Sequence, residues 1–282
     1  MNMIIWIASY PKSGNTWVRS FLTAYYFCEN GIFDINKLNL IEDYPNKQFF
    51  KEKVKQGEIH KHWETSQKDI CNQKKVKFLK THNSLITAFG NDFTKPEYSL
   101  GVIYIIRDPR NVITSVKNHN DLDSYDEALK FMQDENKVLE DYPHLKNYAK
   151  TNIVNSWRIN YRSWLSNKSF RRVTIRYEDM VKNPIETFEK LIVFVNTLMR
   201  FNNKIDQKKL NNAIDTTSFK SLQSIENAGK FGENVYSLKD NRKIKFFYQG
   251  PENDWKKNLD ESMIKKMNEY YQNDLKFFQY EN

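Results

Sequence analysis

Four short apolar runs punctuate the chain: Met3–Ala8, Val76–Lys80, Val102–Ile106 and Val173–Tyr177. Each is too short for a helix and rich in β-branched or aromatic residues, the pattern of strands buried on both faces. Between them, apolar positions recur about one helical turn apart, first in "VRSFLTAYYF". Asp108-Pro109 opens "RNVITSVKNH" as a cap followed by proline at the first helical position. Asn183-Pro184 repeats the device before "IETFEKLIVFV", with Glu186 placed to close a capping box. The same period predicts helices over Tyr125–Glu140, Asn152–Leu165 and Glu261–Phe277. Strands alternating with helices predict a three-layer α/β fold, a mainly parallel central sheet flanked by helices. No repeat, low-complexity tract or Gly/Pro/Ser linker interrupts the pattern, so residues 1–282 are expected to form a single domain. The stretch from Asn227 to Gly250 follows neither period and reads as a long functional loop or lid.

Composition narrows the class. With 15% aromatic residues, including 19 Phe and 16 Tyr, the chain is not of the disordered type and can build a sizeable core. A net charge of +9 favours an anionic partner without choosing among nucleic acid, lipid and phosphorylated small molecules. The basic residues are spread along the chain, with no basic element interleaved by aromatics, so nucleic acid is not the expected partner. Cys28 and Cys71 have no metal-type spacing, and a disulfide framework is not expected. The N-terminus lacks a cationic leader and no run is long enough to span a bilayer, so a soluble, cytoplasmic protein is expected.

In open α/β sheets, ligands bind beyond the carboxyl ends of the strands. The first such end, "SYPKSGNTW", leads from strand to helix through Lys12, Ser13, Gly14, Asn15 and Thr16. A helix starting near Asn15 presents free N–H groups and a positive dipole end to an anion. Gly14 permits close backbone approach, Lys12 adds a full charge, and Ser13 and Thr16 add hydroxyl donors. The common nucleoside-triphosphate loop reads G-x-x-x-x-G-K-[ST], whereas here the lysine precedes the glycine. At a second end, "VIYIIRDPRNVITSV" closes a strand with Arg107, whose fork can grip a phosphate, and Ser115 follows eight residues on. A third end, "KFLKTHNSL", sets out Lys80, Thr81 and His82. A histidine, titrating near neutrality, is suited to take a proton from a hydroxyl.

In this order the motifs resemble those of the cytosolic-type sulfotransferases, which move a sulfuryl group from 3′-phosphoadenosine-5′-phosphosulfate (PAPS) to a hydroxyl or amine. "YPKSGNTW" is similar to the family's Y-P-K-S-G-T-T-W loop, departing from it at Asn15. The Arg107–Ser115 interval resembles the family's 3′-phosphate motif, "KTH" its base segment, "YEDM" its strand-to-helix turn, and "TSFK" a segment beside the adenine. The resemblance runs from residue 4 to about 260 and is weakest between Glu29 and Gln73, which it places in the acceptor pocket.

That resemblance implies a P-loop-NTPase-like sulfotransferase fold, PAPS as donor, its desulfated product PAP (3′,5′-adenosine bisphosphate), and no metal. It implies His82 as general base, Lys12 on the bridging oxygen, and Lys80 holding charge on the transferring group. Nucleotide contacts would come from Lys12, Ser13, Gly14, Asn15, Thr16, Trp17, Arg107, Ser115, Tyr177, Thr217, Phe219 and Gly250, with Trp17 stacked on adenine. The acceptor would be a small molecule or glycan, and the oligomeric state stays open. A second departure lies before "GPENDW": the family's Arg-Lys-Gly is Tyr248-Gln249-Gly250 here, so Arg242, Lys243 or Lys245 would have to replace the lost charge. Trp157 and Trp164 read as packing, and His60, His62, His119 and His144 as residues without a chemical role.

Two other classes use the same residues. A Mg²⁺-dependent P-loop kinase or NTPase would need Asp108 as a metal ligand. A basic protein that binds nucleotide or nucleic acid without turnover would show strong salt dependence if nucleic acid were its ligand.

Overall fold

The run Ile4–Ser9 is buried along its whole length and forms β1, the centre of a five-stranded sheet. The computed structural model describes residues 3–140, 148–233, 235–237 and 239–280. The sheet strands are β1, β2 (Glu42–Asp43), β3 (Lys77–Thr81), β6 (Ser99–Ile106) and β9 (Arg172–Arg176), all parallel, in the order β2-β3-β1-β6-β9. Three small hairpins decorate it: β4 (Thr87–Ala88) with β5 (Asn91–Asp92), β7 (Val138–Leu139) with β8 (Asn152–Ile153), and β10 (Val235–Tyr236) with β11 (Lys243–Ile244). The helices are α1 (Asn15–Phe27), α2 (Trp63–Asn72), α3 (Pro109–His119), α4 (Tyr125–Gln133), α5 (Trp157–Ser166), α6 (Tyr177–Lys182), α7 (Pro184–Met199), α8 (Gln207–Thr216), α9 (Phe219–Asn227), α10 (Trp255–Asn258) and α11 (Glu261–Phe277).

Side chains alternate across a strand, and β1 uses the alternation to feed two cores. Ile4, Trp6 and Ala8 pack with α2, α3, α4, α5 and α11 on one face. Ile5 and Ile7 pack with α1, α7 and α8 on the other. The register pairs Ala8 with Thr81, Ser9 with Ile105 and Ile106 with Arg176, so four strands end at one rim. The chain passes from β3 across β1 to β6, which makes that rim the switch point where ligands bind in such sheets.

Three sequence expectations need correction. The helix foreseen over Tyr125–Glu140 stops at Gln133, because Asp134 turns extended and its carboxylate accepts the Asn136 N–H at 2.9 Å. That Asp-led turn sends the chain into β7. The helix foreseen from Asn152 begins at Trp157, where Ser156 accepts from the Ile159 N–H, and Asn152 belongs to β8. Asn183 closes no capping box: its side chain makes no cap bond, and its N–H is taken by Asp179 O at 2.8 Å. The strands, α1, the Asp108-Pro109 start of α3 and the bounds of α11 follow the sequence pattern. Cys28 and Cys71 are buried free thiols.

α5 braces the rim. Asn160, fully buried, donates through Nδ2 to His82 O at 3.0 Å and Val154 O at 2.9 Å, and accepts from Tyr104 OH at 2.8 Å. Trp164 Nε1 donates to Asn83 O at 2.9 Å. Substituting Asn160→Ala strands the Tyr104 hydroxyl and the His82 carbonyl, while Val154 O keeps the Ser84 hydroxyl at 2.7 Å, at a cost of ~1–3 kcal/mol for each group that water cannot reach. We expect a loss of about 3 kcal/mol in denaturant unfolding. A loss under ~1 kcal/mol would mean that the brace is not structural.

Candidate active site

The loop from β1 to α1 is shaped by backbone strain at two residues. Lys12 lies at φ 67 and Gly14 at φ 102, both left-handed. A Cβ on Gly14 would stand 2.6 Å from Tyr177 Cδ2, so only glycine fits beneath that ring. No side chain caps α1 and its first turn holds no acid, which leaves its leading N–H groups for an anion. Asn15 Nδ2 donates to Ile7 O at 3.0 Å and Ser9 Oγ at 3.1 Å, tying the loop to β1. The departure from the family loop is therefore an anchor. Ser13 Oγ, Asn15 Oδ1 and Trp17 Nε1 are buried without protein partners.

Lys12 Nζ sits 4.1 Å from the Phe246 ring centroid and 3.2 Å from His119 Nδ1, with no carboxylate at ion-pair distance among the described residues. Burial, then Arg107 and Lys80, lowers its pKa to about 7 against the opposing pull of Glu233. Arg107 closes β6 and is also buried without a carboxylate among the described residues. It donates to Lys12 O at 3.2 Å, Gly250 O at 3.1 Å and, at 3.5 Å, Ser115 Oγ. Its guanidinium carbon stands 4.0 Å from the Tyr177 ring centroid, and its Nε is unpartnered.

His82 follows β3. Its Nδ1 lies 2.8 Å from Ser9 O, and since a carbonyl only accepts, Nδ1 carries the proton. Nε2 is then a lone-pair acceptor, and no group among the described residues donates to it. Burial, then Lys80, lowers the imidazole pKa to about 3. Lys80 pairs with Asp43 at 3.1 Å. Burial alone would raise Asp43, but Lys80 and Arg19 together hold it below the usual carboxylate range. Arg19 also binds Glu233 of the long loop.

These groups line one cavity of about 550 Å³, with Gly14, Asn15, Thr16, Trp17, Ser115, Tyr177, Phe219 and Gly250 among its walls. A further cavity of about 200 Å³ adjoins it, sharing Asp43, Lys80, His82 and Glu140. Ser13 and Thr217 are not on the wall; Thr217 is buried with its hydroxyl donating to Ala213 O at 2.6 Å. From the Glu29–Gln73 stretch only Asp43 reaches the main cavity, while Tyr44 and Pro45 reach the adjoining one. His60 and His62 pack on aromatic rings, and His144 lies outside the described residues.

The long loop carries β10 and β11 and supplies Gly232, Glu233, Val235 and Phe246 to Gly250. Buried Glu226 holds it, accepting the N–H groups of Phe246 at 2.7 Å and Phe247 at 2.9 Å. Gly250, at φ 56, leaves no room for a Cβ against Phe219, 2.2 Å away. The expected replacement cations do not reach the wall: Arg242 binds Asp121 and Asp240, and Lys243 and Lys245 are exposed. Gln249 instead donates to Asn258 Oδ1 at 3.1 Å. Sequence reasoning passed over Asp43, His119, Glu226, Glu233 and Phe246, whose roles come from contacts made across the fold. Asp108, the metal ligand a kinase would need, is gripped by Arg110 at 2.8 Å and caps α3.

The uncapped helix, the orphaned Ser13 and Arg107 atoms and the two unneutralised cations fit a phosphorylated nucleotide. Fold and site thus define a P-loop-like, nucleotide-dependent group-transfer enzyme. The chain belongs to the sulfotransferase domain family, whose model matches residues 3–279, and is a PAPS-dependent transferase. It is 25% identical over 275 residues to Sulfotransferase 1 family member D1 of Mus musculus, covering 95% of this chain and 81% of that one. Flavonol 3-sulfotransferase of Flaveria bidentis is 26% identical over 284 residues, covering 93% and 78%. The fold matches mouse sulfotransferase SULT7A1 complexed with PAP at TM-score 0.56 and 16% identity, over 97% of this chain and 85% of that one.

Lys12 sets a pH dependence. Its depressed value means that the amine is charged below about pH 7 and loses its proton above it. An anion binds the charged form, so the affinity for PAP should fall with a slope approaching one decade per pH unit above that point. Calorimetric titrations between about pH 7 and 9 check this, with Lys12→Met expected to bind more weakly and without the slope. A wild-type affinity flat across that range would remove Lys12 from the anion site.

Proposed function

We propose that the protein transfers the sulfuryl group of PAPS to a hydroxyl of a small organic acceptor, with His82 as general base. The observation that carries this reading is the His82 tautomer: Nδ1–H is fixed on the Ser9 carbonyl, leaving an unoccupied Nε2 in the cavity shared with Lys12 and Lys80. The nucleotide supplies the sulfuryl group, which leaves the 5′-phosphate as the acceptor oxygen attacks sulfur.

Lys12, the Gly14–Thr16 turn and the head of α1 hold the 5′ end, with Ser13 contributing from its buried position. Arg107 and Ser115 hold the 3′-phosphate, helped by the Gly250 segment. Trp17, Tyr177 and Phe219 enclose the base, and Thr217 fixes the turn that presents Phe219. His82 takes the acceptor proton at Nε2. Its low pKa reflects burial and then the nearby Lys80; an anion entering the cavity offsets the repulsion from the cations and lifts it toward the range where a base works best. Lys80, paired with Asp43, stabilises charge that develops beside it. The acceptor is a small molecule or a terminal glycan hydroxyl, received between His82 and the adjoining cavity. A named relative acts on flavonol.

The test is PAPS turnover by the purified protein across phenolic, flavonoid and sugar hydroxyls, with EDTA present. Transfer to at least one is expected. Binding of ADP that requires Mg²⁺, with no response to PAP, would overturn the reading.

His82→Ala should lower kcat ~10²–10⁴-fold, the range of general-base catalysis, while leaving the affinity for PAP within a few-fold. Retained turnover would reject His82 as the base. Arg107→Lys loses the two-pronged grip and should weaken PAP by about tenfold or more, because hydrogen bonds to charged groups contribute ~1.5–3 kcal/mol. ADP, lacking the 3′-phosphate, should be little affected. Equal loss for both ligands would move Arg107 off the 3′-phosphate.

A further inference from the structure

The sequence gives His119 no role, and the mechanism above does not use it. It stands at the last position of α3, lines the same cavity as His82, and packs edge-on against Phe246 with ring centroids 5.9 Å apart. Its Nδ1 is 3.2 Å from Lys12 Nζ, the one hydrogen-bond partner that the amine has among the described residues. Below about pH 7 Lys12 is an ammonium, with three donors and no acceptor, so there Nδ1 carries the lone pair and Nε2 the proton. Among the described residues no acceptor meets that N–H, and His119 lines the open cavity.

His82 is arranged the opposite way. Its Nδ1–H is tied to Ser9 O and its Nε2 is the bare acceptor. Two neutral imidazoles of opposite tautomer thus line one cavity, one offering a lone pair and the other an N–H. The charged and titratable groups facing His119 are Lys12 from the phosphate loop and Lys80 and His82 from the end of β3, and burial first, then the two lysines, keeps it neutral.

We propose that His119 is a second working imidazole of the transfer site, which positions Lys12 through Nδ1 and offers its Nε2–H to the oxygens of the transferring group. The proposal rests on the sulfotransfer reading for its chemistry, but its tautomer can be tested without any turnover. A neutral donor suits this position: it stabilises developing charge without adding a third cation beside Lys12 and Lys80.

The first measurement is a long-range proton–nitrogen NMR spectrum of the nucleotide-free protein labelled at its five histidines, assigned with His82→Ala and His119→Phe. The expected result is the Nε2–H tautomer for His119 and the Nδ1–H tautomer for His82. An Nδ1–H or doubly protonated His119 at about pH 6, where Lys12 is charged, would overturn the proposal. The second measurement is kinetic. His119→Phe should lower kcat about tenfold to a hundredfold, approaching the effect of removing one oxyanion donor, while PAP still raises the melting temperature. His119→Gln, whose amide restores a distal N–H, should recover most of the loss. Unchanged kcat in His119→Phe, or equal loss in both variants, would leave His119 a packing residue. If the wild type transfers nothing, the sulfotransfer reading falls, and the tautomer pair alone decides whether the two rings have opposite polarity.

Discussion

Two cations, buried Arg107 and half-buried Lys12, govern this protein, and neither has a carboxylate partner among the described residues. Burying a charge is costly unless something compensates it, and here the compensation is deliberately incomplete. Arg107 receives the carbonyls of Lys12 and Gly250 and the face of Tyr177. Lys12 receives a ring nitrogen and the face of Phe246. Carbonyls and rings stabilise the cations without neutralising them, so the site stays attractive to an anion. The left-handed backbone at Lys12 and the vacant Cβ position of Gly14 are the local means of bringing amine, helix end and guanidinium together. Such strain persists only where the surroundings impose it.

The surroundings impose it from both faces of the sheet. Tyr177 presses on Gly14 and stacks with Arg107, so the head of α6 fixes the loop and the guanidinium at once. On the other face α5 holds the His82 carbonyl, while β1 holds the His82 ring. The long loop is then fastened over the cavity by three separate ties: Glu226 on its backbone, Glu233 on Arg19, and Arg107 on Gly250. Each tie joins the loop to an element of the rigid domain, which sets Phe246 against Lys12.

The strands and the phosphate loop were legible because their determinants are local: apolar runs, a glycine beside a lysine, a proline after a capping aspartate. The site residues carried by motifs share that property, since His82 directly follows β3 and Arg107 directly follows β6. His119, by contrast, acquires meaning only by meeting Lys12 across 107 positions, and Glu233 by meeting Arg19 across 214. No spacing rule reaches that far. The helix misread beyond Gln133 failed for a different reason. Val138 and Leu139 keep the apolar rhythm going after the Asp134 turn, but they serve a hairpin there. The missing Arg-Lys pair was read as a charge to be replaced, and the structure replaces it with nothing from the neighbouring loop; Gln249 turns to Asn258 and Arg107 is left as the cation of that end.

Charge is therefore distributed unequally along the cavity, and the inequality gives it direction. Beneath His82 the ions are balanced among themselves: Lys80 and Arg19 share Asp43, and Arg19 also takes Glu233. Toward the phosphate loop, Lys12 and Arg107 have no such partners among the described residues. A multiply charged anion gains most by lying along the unbalanced half. A neutral hydroxyl compound can enter the balanced half without bringing a charge to match. The rim of one parallel sheet thereby carries a balanced and an unbalanced half, and His82, with its ring fixed to the central strand, stands where the two meet.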